Sequence, residues 1–262
     1  MITIAIANQK GGVGKTTTAI NSATAMAATG WRTLLIDLDP QGNASTGLGI
    51  GSAARAMSSY DILIGEASIA DAAQETDIPS LQIIPATQDL SGAEVELVSV
   101  EDRTDRLARA LRRAEPGFVR PDICFIDCPP SLGLLTLNAL GAADTLLVPL
   151  QCEFFALEGL SQLLQTVERV QERFNPDLGI IGIVLTMFDR RNRLTDQVAD
   201  DVRDCLGRLV FETVIPRNVR LSEAPSHGLP ALIYDHECAG SRAYIALARE
   251  LIGRLPEQRK AA

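Results

Sequence analysis

The sequence is short of aromatic residues and of paired cysteines. Aromatic side chains make up 4% of the 262 residues and apolar ones 46%, so a core for a chain of this length has to be built mainly from Ala, Val, Leu and Ile. The five cysteines form no C-x-x-C pair. We therefore expect reduced core thiols in a cytosolic protein.

Long hydrophobic runs are also missing. A membrane-spanning helix needs about 20 consecutive apolar residues, and no stretch approaches this length. The chain starts with MITIAIANQK, in which the apolar run is short and has no basic start, so we expect no signal peptide. These absences favour a cytoplasmic protein that does not act on a membrane.

Lysine is rare, and positive charge is distributed unevenly. The net charge of −9, taken alone, argues against nucleic-acid binding. However, two of the three lysines, Lys10 and Lys15, lie in one short segment, and the arginines cluster at 190–193 and 217–220. The composition therefore excludes a generally basic surface and leaves room for a local basic patch.

Short apolar runs alternate with helical patterns along the chain. The runs are continuously apolar, as expected for strands buried on both faces of a parallel sheet. Strands are predicted at 2–8, 32–39, 81–86, 122–127, 145–150 and 179–186. Helices are predicted at 16–30, 101–114, 157–174, 196–207 and about 240–255.

This alternation predicts one α/β domain over residues 1–255, with a doubly wound, mainly parallel sheet flanked by helices. A short polar tail at 256–262 follows it. Gly30 suits a left-handed cap at the end of the first helix. The pattern assigns no role to residues 50–120.

The segment NQKGGVGKTT at 8–17 leads from an apolar strand through a glycine-rich turn into a helix, which is the context of a phosphate-binding loop. Backbone N–H groups in such a turn and the N-terminus of the helix surround phosphate oxygens. Lys15 would contact the β- and γ-phosphates, and the Thr16 hydroxyl would ligate Mg²⁺. The predicted nucleotide-binding residues of the loop are Lys10, Gly11, Gly12, Val13, Gly14, Lys15, Thr16 and Thr17.

Acidic residues end two other apolar runs. Asp37 and Asp39 lie in LLIDLDPQGN at 34–43, and Asp127 lies in ICFIDCPPS at 123–131. Ligands of parallel sheets bind at the carboxyl ends of the strands. Asp127 fits the carboxylate on the Mg²⁺ side of a phosphate-loop enzyme, and an acid of the first pair would orient the attacking water or a metal-bound water.

The loop departs from the common pattern G-x-x-x-x-G-K-[ST] at Gln9, where the first glycine is missing, and at Lys10, an additional lysine. The string from Lys10 to Thr16 resembles K-G-G-x-G-K-[ST], the signature of the deviant Walker A ATPases, the group of ParA, MinD and the nitrogenase iron protein. The resemblance implies that Lys10 crosses a dimer interface and contacts phosphates bound by the partner subunit. A cation supplied in trans acts as an arginine finger does.

Nearly the whole chain resembles the short, Soj-like branch of the ParA partition ATPases. The matching segments are ANQKGGVGKTT at 7–17, DLDPQGNASTGLG at 37–49, LTMFDRRNRLTDQV at 185–198 and IPRNVRLSEAPSHGLPALIYD at 215–235. The resemblance implies that Asp39, with Lys10 and Lys15, is catalytic and supports dimerisation on ATP. It also places Asp39, Thr16 and Asp127 around the metal.

Further roles follow from the same resemblance. Pro216 and Asn218 lie where the family contacts adenine, and Met187 is a weaker candidate for that wall. Gly12 has to be small because the two phosphate loops face each other across the dimer. Family dimers bind DNA without sequence preference through basic residues of these segments. The candidates are Arg191 and Arg220, which match best, together with Arg190, Arg193 and Arg217.

The sequence therefore predicts a partition ATPase that uses ATP and Mg²⁺. ATP is expected to drive a sandwich homodimer that binds double-stranded DNA of the nucleoid, and a ParB-type centromere-binding partner to stimulate slow hydrolysis and release the dimer. Two alternatives remain open: a MinD-like ATPase of the membrane surface, and an orphan ParA that positions a protein cluster on the nucleoid. A chromosomal role is not distinguished from a plasmid role.

Overall fold

The computed structural model describes residues 1–113, 117–153 and 155–255, and the predicted tail at 256–262 lies outside them. Eight strands occur in the described part of the chain. They are β1 (Ile2–Ile6), β2 (Thr33–Asp37), β3 (Gln74–Glu75), β4 (Leu81–Ile84), β5 (Ile123–Asp127), β6 (Thr145–Gln151), β7 (Gly179–Phe188) and β8 (Val210–Pro216). They form one sheet in the order β3-β4-β2-β5-β1-β6-β7-β8.

The same ranges contain twelve α-helices, several of them a single turn. They are α1 (Lys15–Ala28), α2 (Asn43–Gly47), α3 (Ser59–Ile64), α4 (Ile69–Ala72), α5 (Leu90–Glu96), α6 (Arg106–Arg112), α7 (Leu134–Ala142), α8 (Ala156–Arg173), α9 (Arg193–Leu206), α10 (Val219–Glu223), α11 (Ala231–Tyr234) and α12 (Ala239–Arg254). No helix in the described ranges is both long enough and apolar enough to cross a membrane.

The strands are buried because helices cover both faces of the sheet. Alternate residues of β1 point to opposite faces. Ile4 belongs to an apolar cluster with Ile20 of α1 and Leu247 of α12, whereas Ala5 belongs to a second cluster with Leu135 of α7. This two-sided burial explains why the central strands are continuously apolar in the sequence.

The predicted fold class is confirmed. β3 is antiparallel to β4, and the other neighbouring strands pair in parallel. Parallel pairing places the carboxyl ends of these strands on one side of the sheet, the carboxyl edge. The loops that follow β1, β2, β5, β7 and β8 therefore all lie at the carboxyl edge, where the sequence places its motifs.

The helix predicted at 101–114 is shorter in the structure, because α6 begins only at Arg106. Asn138 of α7 supplies the reason. Its amide donates to the carbonyl of Arg103 at 2.7 Å, and its Oδ1 accepts the N–H of Leu107 at 3.2 Å. This contact holds the preceding residues in a turn and has no local sequence signal. Residue 114 lies outside the described residues.

Several elements were not predicted, among them the edge strand β8 and helix α7. The sequence of β8, VFETVIP, is not continuously apolar because β8 is an edge strand. Two of its N–H groups, of Glu212 and Thr213, instead donate to the carboxylate of Glu250 on α12, at 2.9 and 3.1 Å. Helix α7, LLTLNALGA, is apolar on nearly all sides and shows no helical stripe.

Candidate functional site

The loop between β1 and α1 has the backbone shape of a phosphate cradle. Gly12 and Gly14 have φ angles of 75° and 87°, a left-handed conformation that side chains other than glycine rarely adopt. Helix α1 begins at Lys15 directly after Gly14, which has no side chain to cap the first N–H groups. These N–H groups and the helix dipole are therefore available to an anion at the carboxyl edge.

Two buried polar residues hold this loop, and neither was predicted. Asn8 donates to the carbonyl of Pro149 at 2.8 Å and accepts the N–H of Lys10 at 3.0 Å. At the other end of the loop, the Thr186 hydroxyl donates to the carbonyl of Val13 at 2.8 Å. Of the two, only Asn8 could have been predicted from the sequence, because it is a polar residue directly after a buried strand.

Lys15 is buried within the loop, and its Nζ donates to the carbonyl of Lys10 at 2.9 Å. Burial lowers the pKa of this lysine, while the nearby carboxyl groups of Asp127 and Asp39 oppose that shift. The ammonium group thus sits at the start of α1 beside acidic side chains, where a phosphate would find a localised positive charge.

Lys10 has a different partner from Lys15. It forms an ion pair with Glu153, which follows β6. Both side chains are about half exposed, at 50% and 45%. Glu153 is a partner that sequence reasoning missed, since the two residues are 143 positions apart. In the single chain, the Lys10 ammonium group is therefore paired with Glu153.

Asp127 is fully buried at the end of β5, and neither of its carboxylate oxygens has a hydrogen-bond partner among the described residues. Burial raises its pKa well above the usual range, and the charge of Asp37 adds to this, whereas the nearby Thr16 hydroxyl and Lys15 oppose it. An orphaned buried carboxylate beside a hydroxyl is a donor set that suits Mg²⁺. These residues fit a metal at the predicted position.

The two acids after β2 have different surroundings. The Asp37 carboxylate is fully buried and accepts the N–H and hydroxyl of Ser45 at 2.8 and 2.7 Å, and burial raises its pKa to about 6. One oxygen of Asp39 accepts the N–H of Gln41 at 3.0 Å. The Asp37 carboxylate is thus occupied by its hydrogen bonds to Ser45. Asp39, which is 8% exposed, is the acid that can face a ligand.

The predicted adenine wall lies at the ends of β7 and β8. Pro216 pairs with Phe188, and Asn218 caps the N-terminus of α10, where its Oδ1 accepts the N–H of Arg220 at 2.8 Å. Met187 has a φ of 50°, rare for a residue with a side chain, and is 38% exposed. The three predicted residues are therefore adjacent at the carboxyl edge, and Met187 is held in a strained conformation.

The two arginine loops also meet at this edge. The N–H of Arg217 donates to the carbonyl of Phe188 at 3.1 Å, which joins the loop after β7 to the loop after β8. All five candidate arginines are exposed. They are Arg190, Arg191, Arg193, Arg217 and Arg220. The sequence showed two separate clusters, and the fold places the two loops that carry them side by side. We call these five arginines the basic patch.

Two arginines of the patch carry acidic partners. Arg191 forms a bidentate pair with Asp189, at 2.9 and 2.8 Å, which lowers the pKa of that carboxyl to about 2. Arg220 pairs with Glu223 at 2.9 Å and with Asp235 at 3.4 Å. The guanidinium groups are thus held in place, although Arg191 stays 87% exposed.

Comparison with known proteins places this geometry in a family. A family model described as an AAA domain matches residues 1–180. The chromosome partitioning protein ParA of Caulobacter vibrioides is 60% identical over 253 residues, which cover 96% of this chain and 94% of that protein. The sporulation initiation inhibitor protein Soj of Bacillus subtilis is 52% identical over 248 residues, or 95% of this chain and 97% of that one.

The chain belongs to the ParA/Soj family of chromosome-partitioning ATPases. The resemblance seen in its motifs is thereby confirmed. Among solved structures, a cobyrinic acid a,c-diamide synthase from Mycobacterium smegmatis with bound ADP and magnesium superposes with a TM-score of 0.82 at 38% identity, covering 96% of this chain and 94% of that chain.

One cysteine of this ParA/Soj family member, Cys128, adjoins a predicted metal-binding residue in the sequence. All five cysteines are free thiols, and Cys124 and Cys128 are buried next to or within β5. Burial raises the pKa of both thiols well above the usual value. Cys128 follows Asp127 directly, but as a neutral, buried thiol it adds no charge to the site.

Proposed function

We propose that this protein is a partition ATPase that binds ATP and Mg²⁺ and hydrolyses ATP slowly. In this proposal ATP drives a homodimer that binds DNA of the nucleoid without sequence preference. A ParB-type partner stimulates hydrolysis and releases the dimer. The family membership supports ATP hydrolysis in partition, and the geometry at the carboxyl edge supports its coupling to DNA.

The observation that carries the proposal is the hydrogen bond from Thr186 to Val13. It joins the phosphate loop to the end of β7, and the arginine loop starts four residues further along the chain. The predicted nucleotide site and the basic patch are therefore neighbours on one edge. A dimer that closes over the nucleotide would bring two such patches together and turn weak contacts into a switchable site.

In the proposed site, Lys15 and the N–H groups of the loop bind the β- and γ-phosphates. Thr16 and Asp127 hold the metal, which when bound neutralises charge on the phosphates. A cation next to the buried Asp127 carboxylate would favour its ionised form, because burial alone raises the pKa of this group. Asp39 orients the water that attacks the γ-phosphate.

The space in front of Gly12 is compatible with the proposed dimer. A Cβ atom built on Gly12 would meet nothing within 4 Å in this chain, so packing within the chain does not explain a glycine there. Its φ of 75° does require glycine, and the open space in front of it is where a second phosphate loop would lie.

Asp39→Ala is expected to lower ATP turnover by about a hundredfold, because the attacking water loses its acceptor. ATP affinity should change little, since Lys15 and the loop remain. Phosphate release and binding of a fluorescent ATP analogue would be measured together. Asp39→Asn is the matched control, since it keeps the shape of the side chain and loses the charge. Ordinary turnover in Asp39→Ala would place the catalytic role elsewhere.

Arg191→Glu and Arg220→Glu are each expected to weaken DNA binding of the ATP-bound dimer by about tenfold or more, since each reverses a charge in the patch. The dependence of affinity on salt should become shallower, by about two counterions per dimer. Fluorescence anisotropy with unrelated duplexes would measure both. Arg249→Glu, an exposed charge reversal on α12, is the control. Unchanged affinity would remove either arginine from the patch.

A second arm of this experiment separates DNA from a membrane surface. Wild-type protein with ATP is mixed either with duplex DNA or with vesicles containing anionic lipid, and the retained fraction is measured. We expect retention on DNA. Retention on vesicles alone would contradict the proposal and support a MinD-like role.

A further inference from the structure

We propose that Arg55 positions Asp39 by fixing the turn at residues 39–42. Two side chains hold this turn from opposite sides, and we call the pair the clamp. Arg55 is its outer half. This inference rests on the proposed catalytic role of Asp39. Arg55 belongs to the segment 50–120, to which the sequence pattern assigns no role. The acid Asp37 is the inner half of the clamp.

Arg55 covers the turn from outside. The turn is closed by the N–H of Gly42, which donates to the carbonyl of Asp39 at 2.8 Å. Gly42 has a φ of 63°, and a Cβ atom placed on it would collide with Nη1 of Arg55 and lie 3.2 Å from the carbonyl of Ala86. The guanidinium group therefore packs directly on the backbone of the turn, at a distance only glycine allows.

The guanidinium group is also fixed on its other sides. Its Nη1 donates to the carbonyl of Ala86 at 3.0 Å, and its Nη2 donates to the Thr46 hydroxyl and to the carbonyl of Ile50, both at 2.8 Å. Nε donates to the same Ile50 carbonyl at 3.1 Å. Because the planar Arg55 guanidinium group has this many hydrogen-bond partners, it has little conformational freedom and packs rigidly against Gly42.

Asp37 holds the same turn from inside. It accepts the N–H of Asp39 at 3.2 Å and the N–H and hydroxyl of Ser45. The Ser45 hydroxyl in turn accepts the N–H of Ala86 at 3.0 Å. Ala86 thus contacts both halves of the clamp, through its N–H on the Asp37 side and through its carbonyl on the Arg55 side.

The clamp matters because Asp39 itself contributes little to its own placement. Among the described residues its carboxylate accepts a single hydrogen bond, from the N–H of Gln41, so its position depends largely on the backbone of the turn. A catalytic group displaced by about 1 Å loses about a hundredfold in rate. Removing the Arg55 side chain, the outer half of the clamp, is therefore expected to lower ATP turnover more than ATP affinity.

The test compares Arg55→Ala, Arg55→Lys and the control Arg249→Ala in the full chain with ATP and Mg²⁺. We expect Arg55→Ala to lower kcat by about ten- to a hundredfold with KM and ATP affinity nearly unchanged. Arg55→Lys should remain impaired, since one ammonium group cannot reach Ala86, Thr46 and Ile50 together. Guanidinium chloride at millimolar concentration should restore part of the turnover of Arg55→Ala and leave Arg55→Lys and the wild type unchanged.

Three outcomes are decisive. Normal kcat in Arg55→Ala overturns the inference. A fall in ATP affinity or melting temperature that accounts for the lost turnover, with no recovery on adding guanidinium, also overturns it, because Arg55 would then only stabilise the fold. Asp39→Ala separates the two proposals: if that variant turns over normally, the proposed function itself fails, whereas loss in Asp39→Ala with normal Arg55→Ala refutes the clamp alone.

Discussion

Lys10→Ala is expected to lower ATP turnover by about a thousandfold and to leave ATP binding nearly intact. A cation supplied to the transition state from a second subunit contributes a factor of about 10³ or more in phosphoryl transfer. Lys15, the buried lysine of the same loop, keeps its contact with the phosphates in this variant. The effect should therefore appear in catalysis by the dimer and in its stimulation by a partner.

The ion pair with Glu153 does not prevent this role. Both side chains are about half exposed, and an exposed pair contributes only about 0–1 kcal/mol. In the proposed dimer, a nucleoside triphosphate would offer Lys10 several negative charges in place of one. Lys10 can therefore leave Glu153 at little free-energy cost when the partner subunit arrives.

Glu153→Gln is the matched control for Lys10→Ala. It breaks the same ion pair but keeps the lysine, so its turnover should stay close to that of the wild type. Turnover would be followed by phosphate release, ATP binding by a fluorescent analogue, and dimerisation by analytical ultracentrifugation. A Lys10→Ala dimer that hydrolyses ATP at the normal rate would show that the site is completed within one chain.

Lys15→Ala is expected to weaken ATP binding by about a hundredfold or more, to the point where binding is barely measured. A charge-assisted hydrogen bond contributes about 1.5–3 kcal/mol, and this lysine would make one to each of two phosphates. The change also leaves Asp127 and Asp39 without the nearby positive charge that partly compensates them. Those carboxylates would then repel the incoming triphosphate.

Isothermal titration with ATP and Mg²⁺ would measure the loss, and circular dichroism would show that the variant is folded. Arg249→Ala again serves as a control for the removal of a positive charge elsewhere. Normal ATP affinity in a folded Lys15→Ala protein would contradict the assignment of residues 8–17 as the phosphate loop.

Local sequence features were enough to locate the glycine-rich turn between β1 and α1, which is the predicted phosphate loop. Glycines at 12 and 14 have positive φ angles, and the turn leads directly from β1 into α1, as predicted. Buried strands were found because they are continuously apolar. β8 was missed because an edge strand is only half buried, and the helix at 101–114 was predicted too long because Asn138 holds its first turn from another helix.

The sequence by itself determined the family, the buried strands of the sheet and the chemical types of the predicted site residues, since these are seen in segments of residues close together in the chain. Only the tertiary structure decided which of them meet. Lys10 and Glu153 are 143 positions apart and come together because β1 and β6 are neighbours in the sheet. Arg55 reaches Gly42 by a side chain whose direction no local pattern encodes. Contacts of this kind depend on strand order and on packing between layers, and these are properties of the whole chain.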